Sequence, residues 1–251
     1  MMTSWELAEH SPDKMFVNGV CSDTVGLYVD RPPMPPMASE KVSSYEIPSQ
    51  NGSVVIRSGV YDDITLTVKC FVFDGGYRPQ DIYKFLSAAK TLWFSRSDEW
   101  YYKVKQVQGI VPQYKQLGKN FLQVNFICEA FRYVKGEVPQ SYTGTGCTIF
   151  NRGNVDCEPV YKLTFSDWSL AAYFDVNGER LQLNPAAMDT GEAVIDLPRK
   201  KIYKVSGSTL TVVQRYTAGR FWAQVLKAGW NTLAWSSGIT AVEVTKNERW
   251  L

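Results

Sequence analysis

Between Asp63 and Phe71 the apolar Ile64, Leu66, Val68 and Cys70 alternate with the polar Thr65, Thr67 and Lys69. A period of two sends one set of side chains into a core and the other into water, which is the signature of a strand. Short runs of this kind, rich in β-branched and aromatic residues and separated by Gly, Asn, Pro and Asp, recur along the whole chain. They predict strands over 24–29, 54–57, 64–73, 100–107 and 121–129. A second series follows over 147–150, 160–165, 172–176, 180–183, 193–196, 202–205, 210–213, 230–234 and 241–245. Aromatic residues are 14% and hydrophobic residues 45% of the 251, enough to fill the interior of stacked sheets, so a mainly β chain is expected.

One segment departs from the period of two. Over 81–94, Ile82, Phe85, Leu86, Ala89, Leu92 and Trp93 recur at helical spacing behind Pro79 and Asp81, which predicts a single amphipathic helix lying on a sheet. Around Phe131 to Gly146 the alternation stops and small polar residues take over, so the chain divides there into residues 1–138, with the helix, and residues 139–251. In the second part turn signals fall at the spacing of a β-sandwich, with Asn177-Gly178 and Ser206-Gly207-Ser208 as hairpin turns. The four prolines of Arg31 to Met37 forbid both helix and central strand and make that stretch a stiff, exposed connector.

The residues that do chemistry are scarce. The only histidine, His10, lies in the polar stretch Glu9 to Asp13, which removes the usual general base and the histidine-containing zinc sites from the body of the chain. Cys21, Cys70, Cys128, Cys147 and Cys157 are odd in number and contain no C-x-x-C pair, so reduced, mostly buried thiols are expected, with no disulfide framework and no metal site. Asp62-Asp63 and Asp98-Glu99 are sequence neighbours that point to opposite faces of a strand, so a turn is the better reading than a catalytic dyad. Gly144-Thr145-Gly146 and Gly118-Lys119-Asn120 lack the rest of any phosphate-binding loop, and no cofactor is expected. A net charge of +2 gives no field for sequence-specific nucleic-acid binding. The basic run Arg199-Lys200-Lys201 reads as a solvated loop, and no apolar run is long enough to span a membrane. The amino-terminal residues carry no secretion signal, and Asn51-Gly52-Ser53 is accordingly a turn. Trp168, in the polar turn Ser166 to Ser169, is the candidate glycan contact among the many aromatics of the second part.

The order of the motifs adds a resemblance. Met15-Phe16-Val17-Asn18-Gly19, Gly26-Leu27-Tyr28-Val29 with the proline run, Tyr45-Glu46-Ile47-Pro48-Ser49-Gln50-Asn51-Gly52 and Tyr61-Asp62-Asp63-Ile64 come in that sequence. Phe121 to Cys128 with Ala130-Phe131-Arg132-Tyr133, Ile149 to Asn154 with Glu158-Pro159, and Ala228-Gly229-Trp230-Asn231 follow. This series resembles the distal tail (Dit) family of long-tailed siphophages, with its F-x-N-G start, I-P-G-x-x-G turn, Y-x-D-x-x-I strand and P-F-x-Y exit. Ser49 stands where the turn usually has glycine, Ala130 where the exit has proline, and about fourteen residues precede Phe16.

The resemblance implies a tail-tube-like β-barrel or sandwich that forms a ring, with one helix, followed by a galectin-like β-sandwich. It implies a non-enzymatic homo-hexamer at the tail tip or baseplate of a virion, assembled in the cytoplasm of the infected bacterium. Its partners would be the tail tube protein, the tail-associated lysin or hub, and receptor-binding proteins. Ring closure by an extended arm places that arm in Met37 to Tyr61, with Val42, Tyr45, Ile47, Pro48, Val60 and Tyr61 at the interface between copies. The competing reading is a carbohydrate-binding β-sandwich that recognises host wall polysaccharide.

Overall fold

The computed structural model describes residues 13–48, 51–75, 78–166 and 171–251. Strand makes up 58% and helix 11%, which sets the class as mainly β, and neighbouring strands along each sheet pair antiparallel. The chain divides into two compact units, one running to Lys135 and taking in Leu251, the other spanning Gly136–Trp250.

The first unit contains β1 (Met15–Val17), β2 (Val20–Cys21), β3 (Tyr28–Arg31), β4 (Glu40–Glu46), β5 (Ser53–Tyr61), β6 (Ile64–Phe73), α1 (Pro79–Ser87), β7 (Thr91–Phe94), β8 (Trp100–Gln116) and β9 (Lys119–Val134). Its main sheet runs β2-β1-β7-β8-β9-β6-β3, while β4 and β5 pair only with each other. β6 alternates as its sequence demands. Ile64, Leu66, Val68 and Cys70 are buried and meet Leu122, Val124, Phe126 and Cys128 of β9, with Ile82 and Leu86 of α1 in the same core.

The start motif has a physical purpose. Asn18 and Gly19 take φ of 51° and 82°, the left-handed pair that a two-residue turn needs to bring Val17 opposite Val20. The Asn18 side chain then donates to the Ala88 carbonyl at 2.7 Å and accepts from the Lys90 and Thr91 amides at 2.8 and 3.1 Å. One asparagine thus makes the first hairpin and ties down the end of α1.

Two expectations need correction and a third is extended. The helix ends at Ser87, well short of residue 94, because Thr91–Phe94 is drawn into the sheet between β1 and β8. There Leu92 and Phe94 enter the core while Trp93 stacks on Phe16 from the other side, at 3.7 Å. The strand expected over 24–29 is a 3-10 turn, Ser22–Val25, closed by Gly26 at φ 72°, and extended backbone begins only at Tyr28. The strands expected over 100–107 and 121–129 are the two long arms of one hairpin, joined at Leu117-Gly118.

The second unit contains β10 (Gln140–Thr143), β11 (Gly146–Asn151), β12 (Val160–Phe165), β13 (Ala172–Val176), β14 (Glu179–Leu183), α2 (Pro185–Met188), β15 (Glu192–Asp196), β16 (Lys201–Ser206), β17 (Thr209–Val212), β18 (Thr217–Ala218), β19 (Gly229–Trp235) and β20 (Ile239–Thr245). They form two sheets, β10-β20-β12-β15-β16-β17 and β11-β19-β13-β14-β18, that share one core containing Tyr161, Phe174, Leu181, Ile195, Trp235 and Val242. Its two large polar aromatics are satisfied inside: Tyr161 donates to the Gln224 carbonyl at 2.9 Å and the Trp235 indole to that of Gly144 at 2.7 Å. Asn177 and Gly178, at φ 54° and 86°, make the turn expected between β13 and β14.

Candidate assembly surface

β4 and β5 form a hairpin that stands outside the core. Its base is fixed on the first unit by the Tyr61 ring, edge-on to Phe131 of β9 at 5.7 Å, and by the Asp62 amide on the Ser39 carbonyl at 2.9 Å. Lys41 meets Asp62 at 3.3 Å and Arg57 meets Glu40 at 3.5 Å. The register shifts between Glu40 and Val42, where Gly59 at φ 67° and the Ser58 hydroxyl, donating to the Lys41 carbonyl at 2.7 Å, accommodate two extra residues of β5.

Past that bulge, Tyr45 faces Val54 and Ser43 faces Ile56, which puts Tyr45, Val54 and Ile56 on one side of the ribbon. Ser44 with Val55 and Val42 with Arg57 occupy the other side. Both sides are bare; Tyr45 and Ile56 are each 56% exposed, and neither strand pairs with a further strand among the described residues. A two-stranded ribbon with apolar side chains on both faces has little to hold it in water.

Of the residues singled out in the sequence, Val42 and Tyr45 therefore lie on opposite faces, Val60 is exposed in β5, and Tyr61 is a packed anchor at the base. Ile47 and Pro48 are exposed just beyond the end of β4. Val54, Val55 and Ile56, exposed and apolar, were not singled out, although three β-branched residues in a row leave one pointing to each face in turn.

In the second unit Trp168 lies outside the described residues. The exposed aromatics that the structure does bring together are Phe150 of β11 and Trp230 of β19, a cross-strand pair with ring centroids 5.0 Å apart on the outward face of the sheet.

Burial pushes the Cys70, Cys128 and Cys157 thiols up to about 12 and that of Cys147 to about 11, so they stay protonated and inert at neutral pH. No group of three or more metal-ligating side chains occurs among the described residues, and no helix there is long and apolar enough to cross a membrane. His10 lies outside them.

No protein-family profile and no curated protein matches the sequence. The fold does match a solved structure. SPP1 Dit (gp 19.1), described as a paradigm of the hub adsorption apparatus in phages that infect Gram-positive bacteria, superposes with a TM-score of 0.69. The match covers 95% of this chain and 99% of that one at 17% identity. This chain has the Dit fold. The matched length takes in residues of both units.

Proposed function

We propose that this chain is a structural, non-enzymatic hub of a phage tail tip, which closes into a hexameric ring. The ring joins the tail tube to the tail-associated lysin or fibre hub and docks receptor-binding proteins. Residues 1–138 are the tail-tube-like ring-former and residues 139–251 a galectin-like sandwich. The protein is assembled in the infected cytoplasm and resides in the virion. The observation that carries this reading is the bare β4–β5 hairpin on a Dit fold. A ring requires unlike surfaces that meet around a closed rotation, and an arm reaching out of its own chain supplies one of them.

Because Glu40 and Tyr61 are direct partners at the hairpin base, residues 41–60 can be replaced by a short Gly-Ser bridge without disturbing the core. The full chain is expected to give six-fold rings in negative-stain electron microscopy. Light scattering should give six times 28.4 kDa, about 170 kDa, and the bridged variant should give monomers of unchanged thermal stability. Intact rings from the bridged variant would sink the arm's role.

A second reading, recognition of host wall polysaccharide, is favoured by the exposed Phe150–Trp230 pair. A flat indole free on one face is the surface on which sugar rings stack. Polysaccharide binding by the full chain that disappears in Trp230→Ala would support it.

A further inference from the structure

An arm that is bare on its own chain needs a seat on another, and the first unit carries a surface that fits it. On the side of the main sheet away from the core, Tyr28, Phe71, Phe121 and Tyr114 stand in direct register across β3, β6, β9 and β8. Successive ring centroids are 5.5, 6.0 and 4.6 Å apart. The row is closed in its middle, where Phe71 is buried, and opens at Tyr114, 58% exposed. Three residues on, the β8–β9 turn holds Leu117 at φ 50° with 92% of its surface exposed, ahead of Gly118 at φ 73°. That turn suits Asn-Gly; a leucine there carries both backbone strain and full exposure and gains nothing within its own chain.

Resting on the ring reading above, we propose that this open end of the ladder, Tyr114 with Leu117, is the seat on which the next copy lays the Tyr45, Val54 and Ile56 face of its β4–β5 arm. Charge agrees. Within the arm Glu40 with Arg57 and Lys41 with Asp62 are internal pairs, which leaves Glu46 as its free charge. Beside the ladder Lys115 is held by Asp74 at 2.8 Å, while Lys69 and Lys119 have no carboxylate partner among the described residues; Lys119 instead lies over the Phe71 ring at 4.2 Å. One unpaired carboxylate would meet two ammonium groups that have no carboxylate partner among the described residues, as a head-to-tail contact of unlike surfaces requires.

The contact is made through side-chain faces and does not extend the sheet. β7 pairs with β8 at Tyr102 and Lys103, and the Val104 amide donates to the Lys90 carbonyl at 2.8 Å, so among the described residues the outer edge of β8 is open only from Lys105 to Gln116. That edge is broken by three register shifts and by Pro112, features that obstruct the addition of a strand.

The test places photoreactive benzoylphenylalanine at position 45 of the full chain, with position 83, exposed on α1, as the control, and maps the cross-linked peptides by mass spectrometry. Dimers joined between position 45 and the 111–121 segment, absent from the control, are the expected result. Dimers joined elsewhere would overturn the seat and leave the ring reading standing. No dimers together with a mass of 28.4 kDa would overturn both. Independently, Leu117→Asn and Tyr114→Ser should raise the concentration for half-assembly at least tenfold while thermal stability holds or, for Leu117→Asn, rises; unchanged assembly in both would refute the seat.

Discussion

Phe150 and Trp230 face each other across β11 and β19 with their rings 5.0 Å apart, both turned out of the sandwich. The chain has placed two large aromatics in water, and the cause lies one residue further along each strand. Asn151 and Asn231 occupy the interior positions, and strand parity then leaves the outside for their neighbours. With 74% of its surface exposed, Trp230 adds little to folding. Trp230→Ala should change unfolding free energy by about 1 kcal/mol or less, whereas Trp235→Ala, which empties a core site and orphans the Gly144 carbonyl, should cost about 3–5 kcal/mol. Urea unfolding of the two variants followed by far-ultraviolet circular dichroism measures both; equal losses would mean that Trp230 is covered.

The interior asparagine is no passive spacer. The Asn231 amide donates to the Lys227 and Gly229 carbonyls at 2.8 and 2.9 Å, and its oxygen accepts from the Lys227 amide at 2.8 Å and from the Asn177 side chain at 2.7 Å. Four bonds from one side chain knit the β19 start to the β13–β14 turn. Asn231→Leu, though apolar and of similar size, removes four part-buried hydrogen bonds and should destabilise by about 1–3 kcal/mol. A midpoint in urea at or above that of the parent chain would contradict this.

The same asparagines explain what the sequence hides. Apolar-inside reasoning puts Trp230 in the core, and only the buried Asn231 beside it reverses the parity; a polar residue with all its bonds made looks the same in the sequence as one in water. At 81–94 the helical spacing is real, yet Leu92 and Phe94 also satisfy a strand, and pairing with β1 and β8 decides the competition. Gly109 and Pro112 read as breakers that should end β8 near 107, but they sit beside bulges on an edge that continues to Gln116. Where one face is buried and the other solvated, as in β6, or where a turn needs positive φ, as at Asn18-Gly19 and Asn177-Gly178, local chemistry is sufficient and the sequence is readable. Local chemistry alone would bury the β4–β5 arm, because Val54, Val55 and Ile56 are residues that ordinarily mark a core; only the resemblance places an extended arm over Met37 to Tyr61.

Two carboxylates of the second unit should give the stability curve opposing slopes. Burial alone would raise the Glu248 carboxyl, but bonds from the Arg152 side chain and amide and from Lys246, at 2.7–2.9 Å, outweigh it and hold the group below the ordinary 4.5. Its contribution is present above 4.5 and is lost as the pH falls through the depressed folded value. Glu137 goes the other way: burial raises it above 4.5 against the opposing bonds from the Asn247 and Lys246 amides. Its contribution is full below 4.5 and is lost as the pH rises through the elevated folded value. The stability gap between the parent and Glu248→Gln should therefore shrink between pH 7 and pH 4, and that between the parent and Glu137→Gln should widen. Urea titrations at the two pH values decide it; gaps that move in the same direction would refute the opposed assignment.

The arm makes the last separation, between what folds the chain and what assembles it. Tyr45 and Ile56 touch no core cluster, so Tyr45→Ser with Ile56→Ser removes apolar surface that the isolated chain never buries. Its effect on unfolding should stay within about 0.5 kcal/mol, and the loss of two exposed apolar groups should if anything improve solubility. Assembly should respond in the opposite sense, since side chains of this kind at the middle of an interface commonly contribute 2 kcal/mol or more, about thirtyfold in affinity each. Sedimentation velocity across a concentration series, beside a thermal melt of the same sample, reads both quantities. A melt that falls together with the assembly would show that the hairpin is held by its own chain.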